Sequence, residues 1–135
     1  MVEIVNPAGA PPPVGPYSQV AIVEAGSRVA HISGQVAADS DGELVGAGDF
    51  RTQFRVAAEN LGKVLEALGV SFDDVAYVRG HLTRVSDLPA YREERERFYG
   101  RVCTKGPPPT TTLVVAALYH PDCLIELDAV AVLKG

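Results

Sequence analysis

From residue 49 onward, apolar side chains recur at three- and four-residue spacing. Phe50, Phe54, Ala57, Ala58, Leu61, Val64, Leu65 and Leu68 form one stripe, and Arg51, Arg55, Glu59 and Lys63 fall outside it. That period is an amphipathic helix. Asp49 is placed to cap its start and Gly69 to close it as a C′ glycine, which predicts about five turns. Over 74–83 the period shortens to two: Tyr77, Arg79, His81 and Thr83 share one face, and Ala76, Val78, Gly80 and Leu82 the other. The alternation predicts a strand. A second helix is expected over 87–99, with Leu88, Tyr91, Arg95, Phe98 and Tyr99 on its inner side and Pro89 tolerated in its first turn.

The remaining pattern is strand and turn. Residues 6–16 carry five prolines and two glycines and read as an extended arm. Residues 19–23 and 28–33, joined by Glu24-Ala25-Gly26-Ser27, read as a β-hairpin. Asp39-Ser40-Asp41-Gly42 is a turn cluster. After the connector Gly106-Pro107-Pro108-Pro109, strands are expected over 111–118 and 124–133 around a turn at His120-Pro121-Asp122. The order ββαβαββ predicts one α+β domain over residues 1–135, a mixed sheet with both helices on one face. Two helices cover one face only. Residues 112–118 are apolar on both sides, and 124–133 sets Leu124, Val130 and Val132 opposite Ile125, Leu127, Ala129 and Ala131. The second face is therefore expected to be covered by other copies of the chain.

Composition narrows the partners. With 135 residues, 47% of them hydrophobic, the chain can bury a core without staples. A net charge of −5 argues against nucleic acid, whose binders carry a basic footprint. No apolar run approaches the ~18 residues of a membrane span. Met1-Val2-Glu3-Ile4-Val5-Asn6-Pro7 has neither a basic leader nor an apolar stretch, so a cytoplasmic protein is expected. Cys103, Cys123 and the three histidines lack metal-ligand spacing; no metal is expected, and the thiols read as reduced and partly buried.

Glu126 stands out as a candidate for chemistry. It lies mid-strand among Leu124, Ile125, Leu127 and Ala129, where an ionised carboxylate is costly unless paired. Asp128 shares its face about 6.7 Å along the strand. The two can serve as an acid/base pair, lie on a solvated edge, or pair with an arginine across a subunit boundary. Gly15-Pro16-Tyr17-Ser18 and Ile32-Ser33-Gly34-Gln35 are small-residue turns that let backbone N–H groups approach a ligand, and they are equally ordinary turn chemistry. The polar face Tyr77-Arg79-His81-Thr83 fits a cleft lining or an interface. The run Arg92-Glu93-Glu94-Arg95-Glu96-Arg97 reads as a solvated helix face with i,i+4 pairs.

Together, Gly15-Pro16-Tyr17-Ser18, Ile32-Ser33-Gly34-Gln35, the helix end from Asn60 to Gly69, Asp74-Val75 and the closing run Ile125-Glu126-Leu127-Asp128-Ala129-Val130-Ala131-Val132 resemble the Rid family, the reactive intermediate deaminases also called YjgF-like or L-PSP proteins. The resemblance spans nearly the whole chain. It implies a chorismate-mutase-like fold, a homotrimer with an inner barrel of sheets, three clefts between subunits, and no cofactor. In the deaminase members, an arginine after the proline connector clamps the substrate carboxylate. Backbone groups and a last-strand glutamate hold the water that converts a 2-imino or 2-enamino acid to the keto acid and ammonia. By that resemblance Glu126 is the glutamate, Tyr17 the pocket tyrosine, and Ser33 and Gly34 the ligand loop.

The arginine position is Thr111. A guanidinium clamps a carboxylate through two charge-assisted bonds, whereas a threonine offers one neutral bond. Losing one member of such a buried pair costs about 3–5 kcal/mol. The chain therefore resembles the arginine-lacking branches, with Arg79 or Arg92 as candidate substitutes and Thr111 and Thr112 favouring a neutral or hydroxylated ligand. Three functions follow as expectations. One is hydrolysis of an imine, enamine or related small molecule through a glutamate-held water. The second is a binding module that holds a small ligand or partner without turnover. The third, ribonuclease activity, is disfavoured by the acidic charge and the lack of a base-stacking platform.

Overall fold

A computed structural model describes residues 2–135. The stripe that begins at Phe50 forms α1 (Phe50–Ala67), one wall of the core. The Asp49 carboxylate accepts from the Thr52 amide at 3.2 Å and from its hydroxyl at 2.7 Å. At the other end Gly69 has a φ of 74°, with Gly69 N–H donating to Glu66 O and Val70 N–H to Leu65 O. That paired closure is a Schellman motif. The second helix is α2 (Leu88–Val102), preceded by a 3-10 turn at Val85–Asp87.

Six strands accompany the helices: β1 (Val2–Val5), β2 (Val20–Val23), β3 (Val29–Gln35), β4 (Val75–Leu82), β5 (Thr110–Val114) and β6 (Ile125–Val132). The main sheet has the order β3-β6-β4-β5, antiparallel except for the parallel β4–β5 pair. Both helices lie on one face of it. Between them and the sheet, Phe54, Leu61, Leu65, Val78, Tyr91, Phe98, Ile125, Leu127 and Ala131 form a continuous core. Phe54 stands edge-on to Tyr91 and Phe98, with ring centroids 5.8 and 6.2 Å away.

Several expectations are corrected. The 24–27 turn closes, with Ser27 N–H donating to Glu24 O, but β2 and β3 do not pair as a hairpin. The β-branched segment Val2–Val5, an element the sequence reading omits, takes β2 in a separate ribbon, and β3 joins β6. The order is thus βββαβαββ. The strand expected over 111–118 ends at Val114. β4 stops at Leu82, whose carbonyl takes the last bond from Val115 N–H, so residues 115–118 have no ladder to continue.

The open sheet face is less apolar than the pattern suggested, because residues 115–118 leave the sheet, Leu124 joins the core and Val132 is buried. Val29 and Leu113 remain exposed beside a polar band. The charged run on α2 is not wholly solvated either. Glu94 is only 3% exposed and accepts from Arg51 and Arg55 of α1 and from Arg97.

This cluster gives the fold an acid-sensitive joint. Burial pushes the Glu94 carboxyl up, but the hydrogen bonds from Arg55 and Arg51 and the surrounding positive charge outweigh it and hold the group below its ordinary value of 4.5. A carboxyl depressed in the folded state contributes stability above its unfolded pKa and loses it as pH falls through the folded value. Denaturant midpoints are expected to fall below about pH 4.5. Glu94→Gln lowers the midpoint at pH 7 and flattens its decline towards pH 3. An unchanged slope would remove Glu94 from the acid response.

Candidate functional site

The site begins with a break in the β3–β6 ladder. Ile32 pairs with Ala129 and Gln35 with Leu127, so Ser33 and Gly34 together oppose Asp128 as a bulge. A Cβ on Gly34 would lie 2.4 Å from Cδ and Oε2 of Glu126, so the glutamate side chain rests directly on this glycine. The start of β6 is pinned from the helix side. Gln53, fully buried, accepts from Leu124 N–H at 2.8 Å and donates to Asp122 O and Gly46 O. Asn60 donates to Val36 O and Ala38 O and holds the chain just after the bulge.

Asp128 and Glu126 differ in their surroundings. Asp128 accepts from Arg79 Nε at 2.9 Å and meets His81 Nε2 at 2.8 Å. Asp128 thus pairs with Arg79 of its own chain, whereas the sequence reading set such a pair across a subunit boundary. Glu126 has no ion pair or hydrogen bond among the described residues, although its carboxylate helps to raise the Tyr119 hydroxyl and Cys123 thiol, each shifted first by burial. Arg79 opposes Asp128 and His81 opposes Glu126 in the register, so all four lie on the open face. A depression of about 550 Å³ there is lined by Ser33, Gly34, Tyr77, Arg79, Asp128 and Val130 among others.

The other sequence candidates divide. Thr111 faces the depression beside Arg79, its hydroxyl bonded to the Tyr77 hydroxyl. Thr112 points to the helix side, 3.4 Å from Arg95, and is not part of the Glu126 face. Tyr17 and Arg92 line a different groove of about 440 Å³ between the proline-rich arm and α2, with Gly15, Pro16, Glu96 and Tyr99. There the Arg92 guanidinium donates to Val14 O, and the Tyr17 hydroxyl accepts from Val14 N–H. Neither substitute arginine is therefore idle: Arg79 is committed to Asp128, and Arg92 to a backbone carbonyl. Cys103 borders the same groove, and burial pushes its thiol up to about 12, which keeps it protonated and unreactive.

Sequence reasoning passed over Gly80. A Cβ there would lie 2.1 Å from the Tyr91 hydroxyl, so the glycine lets α2 seat on β4. A glycine inside a strand pattern was the available signal. No helix among the described residues is long and apolar enough to cross a membrane.

Fold and groove define a small α+β protein with a carboxylate on a bulged, open sheet face. The Endoribonuclease L-PSP family model matches residues 8–133. The chain is 30% identical to the human 2-iminobutanoate/2-iminopropanoate deaminase, covering 96% of this chain and 89% of the relative. It is also 30% identical to the 3-aminoacrylate deaminase RutC of Acinetobacter baylyi, covering 96% of each. A solved Rid-family protein of Yersinia pestis, YyfB, superposes with a TM-score of 0.86 at 31% identity over 98% of each chain. The chain belongs to the Rid (YjgF, L-PSP) family.

Proposed function

We propose that this protein is a Rid-type deaminase that hydrolyses an imine or enamine through water held by Glu126, in a cleft completed by a second copy of the chain. The observation that carries this reading is the free Glu126 carboxylate seated on the Ser33–Gly34 bulge. It can accept a proton from water, and the exposed bulge brings backbone to the same place. The separation of Glu126 from Tyr17 supports a shared cleft. Tyr17 lines one open groove and Glu126 rests on Gly34, which lines another, and in the trimer that the resemblance implies, grooves from two copies merge into one pocket. Homologues named as deaminases of an iminobutanoate and of an aminoacrylate support the reaction class.

Thr111 sets the substrate preference. Lacking a guanidinium there, the cleft holds the carboxylate of an amino-acid-derived imine poorly, and the favoured substrate is a different small imine or enamine. The test is keto-acid formation from 2-imino acids generated in situ by an amino-acid oxidase, for wild type and Thr111→Arg. The expected result is a gain of about a few hundredfold or more in Thr111→Arg, in line with the roughly 3–5 kcal/mol of a buried clamp partner. Equal activity in both would place the clamp elsewhere, with Arg92 the foremost candidate. Two inert proteins would remove the water-handling role.

A further inference from the structure

Glu94 is surrounded by more positive charge than one carboxylate can use. Its oxygens accept from Arg51 and Arg55 of α1 and from Arg97 of α2. Arg51 closes a second pair with Glu93 and is thereby committed. Arg55 and Arg97 each spend a single bond on Glu94, through Nε and Nη1, and both remain exposed. A guanidinium carries five N–H donors in a planar fork, so most of theirs are unspent. Arg101, also exposed, spends none. Among the described residues it has no ion pair or hydrogen bond, and its guanidinium carbon stands 5.4 Å over the Phe98 ring. Stacking on a ring face steadies the group while its in-plane donors stay free.

These side chains share one concavity. Glu94, Arg97, Phe98 and Arg101 recur at three- and four-residue spacing along α2, and Phe54 and Arg55 meet them from α1. Together the six line a groove of about 280 Å³ at the outer seam of the two helices. Phe54 and Phe98, edge-on with centroids 6.2 Å apart, are its floor. Three guanidiniums face one carboxylate there, a surplus of two positive charges in a chain whose net charge is −5. Asp49 adds only its field at Arg55, its carboxylate being bound to Thr52. Like charges converging on one groove repel each other unless a further anion joins them.

The surplus also selects the anion. A carboxylate is matched by one guanidinium, whereas a phosphoryl dianion offers oxygens to several forks at once. The recess, at the small end of ligand pockets, and the acidic remainder of the chain favour a small soluble compound over an extended anionic surface. Copies packed on the open sheet face would leave this groove accessible. We propose that the outer seam between α1 and α2 is a binding site for a small phosphoryl anion, held by Arg55, Arg97 and Arg101 and preorganised by Glu94. The site does not depend on the deaminase reading, because it lies across the sheet from Glu126 and its binding is measured without turnover.

The experiment is calorimetric titration and thermal unfolding of the full chain in phosphate-free buffer of low ionic strength, with pyrophosphate, inorganic phosphate and acetate as probes. Pyrophosphate is expected to bind saturably and raise the unfolding temperature, phosphate to do so more weakly, and acetate to do neither at the same concentration. Arg101→Gln weakens pyrophosphate at least tenfold, the loss of charge-assisted bonds, while its ligand-free unfolding temperature stays close to that of wild type. Should Arg101→Gln not fold, Arg101→Lys serves instead: it keeps the charge, loses the fork and weakens pyrophosphate several-fold. Arg28→Gln removes the same charge at the turn between β2 and β3 and is expected to bind as wild type does. The proposal is overturned if wild type ignores pyrophosphate, if Arg101→Gln or Arg101→Lys binds it unchanged, if Arg28→Gln weakens it as much as Arg101→Gln, or if acetate binds equally. Retention on phosphatidic acid vesicles without any response to pyrophosphate would overturn the assignment to a soluble ligand.

Discussion

Glu126→Gln is expected to lower imine or enamine hydrolysis by two to four orders of magnitude, the range that a positioned acid–base group contributes. The amide is nearly isosteric and can still contact water, but it cannot take up its proton. Glu126 makes no ion pair or hydrogen bond among the described residues, so the substitution leaves no partner stranded, and the unfolding temperature should hardly move. Gly34→Ala makes the complementary change. Its new Cβ would fall 2.4 Å from the Glu126 carboxylate, and the side chain, being the flexible end, must swing away. The expected outcome is a loss of rate approaching that of Glu126→Gln with a native-like melt. Rates near wild type in Glu126→Gln would remove the carboxylate from the mechanism. A slow Glu126→Gln with a normal Gly34→Ala would keep the glutamate and dismiss the seat.

Phe54→Ala carries the largest expected cost in stability. Phe54 is 2% exposed and lies between α1, α2 and the sheet, edge-on to both Tyr91 and Phe98. Truncation loses the transfer energy of the ring, opens a cavity that two helices cannot collapse to fill, and removes two aromatic contacts. About 3–5 kcal/mol should be lost, a large share of the stability of a domain this size. Chemical denaturation reads this directly. A loss below about 1 kcal/mol, small for a truncated core aromatic, would mean that the helix pair is not seated on the sheet as described.

The helices and the last strand were legible because their signals are local. Asp49, the stripe from Phe50 and Gly69 each act within a few residues, and the helix begins and ends where they indicate. Pairing partners were less legible. Val20–Val23 faces a choice between the strand after its turn and a segment fifteen residues earlier, and the turn residues alone do not decide it. The Arg92–Arg97 run misled for a related reason. Glu94 is buried because Arg51 and Arg55 reach it from the other helix, and i,i+4 spacing carries no trace of them.

The site shows the same division. Glu126 was recognisable as a charge in an apolar strand, and the Ser33–Gly34 turn as small residues near a strand end. That the two touch depends on a bulge in the ladder. Thr111 and Thr112 are adjacent in sequence, yet strand alternation sends them to opposite faces.

The cleft requires other copies of the chain on the open sheet face, where Val29 and Leu113 are exposed and Ser33, Gly34, Arg79 and Asp128 line a depression. Sedimentation equilibrium at micromolar protein is the most direct test. The account predicts a single species of three times the 14.3 kDa chain mass. A stable 14.3 kDa monomer would contradict it, because the Tyr17 groove and the Ser33–Gly34 bulge that seats Glu126 would then remain separate.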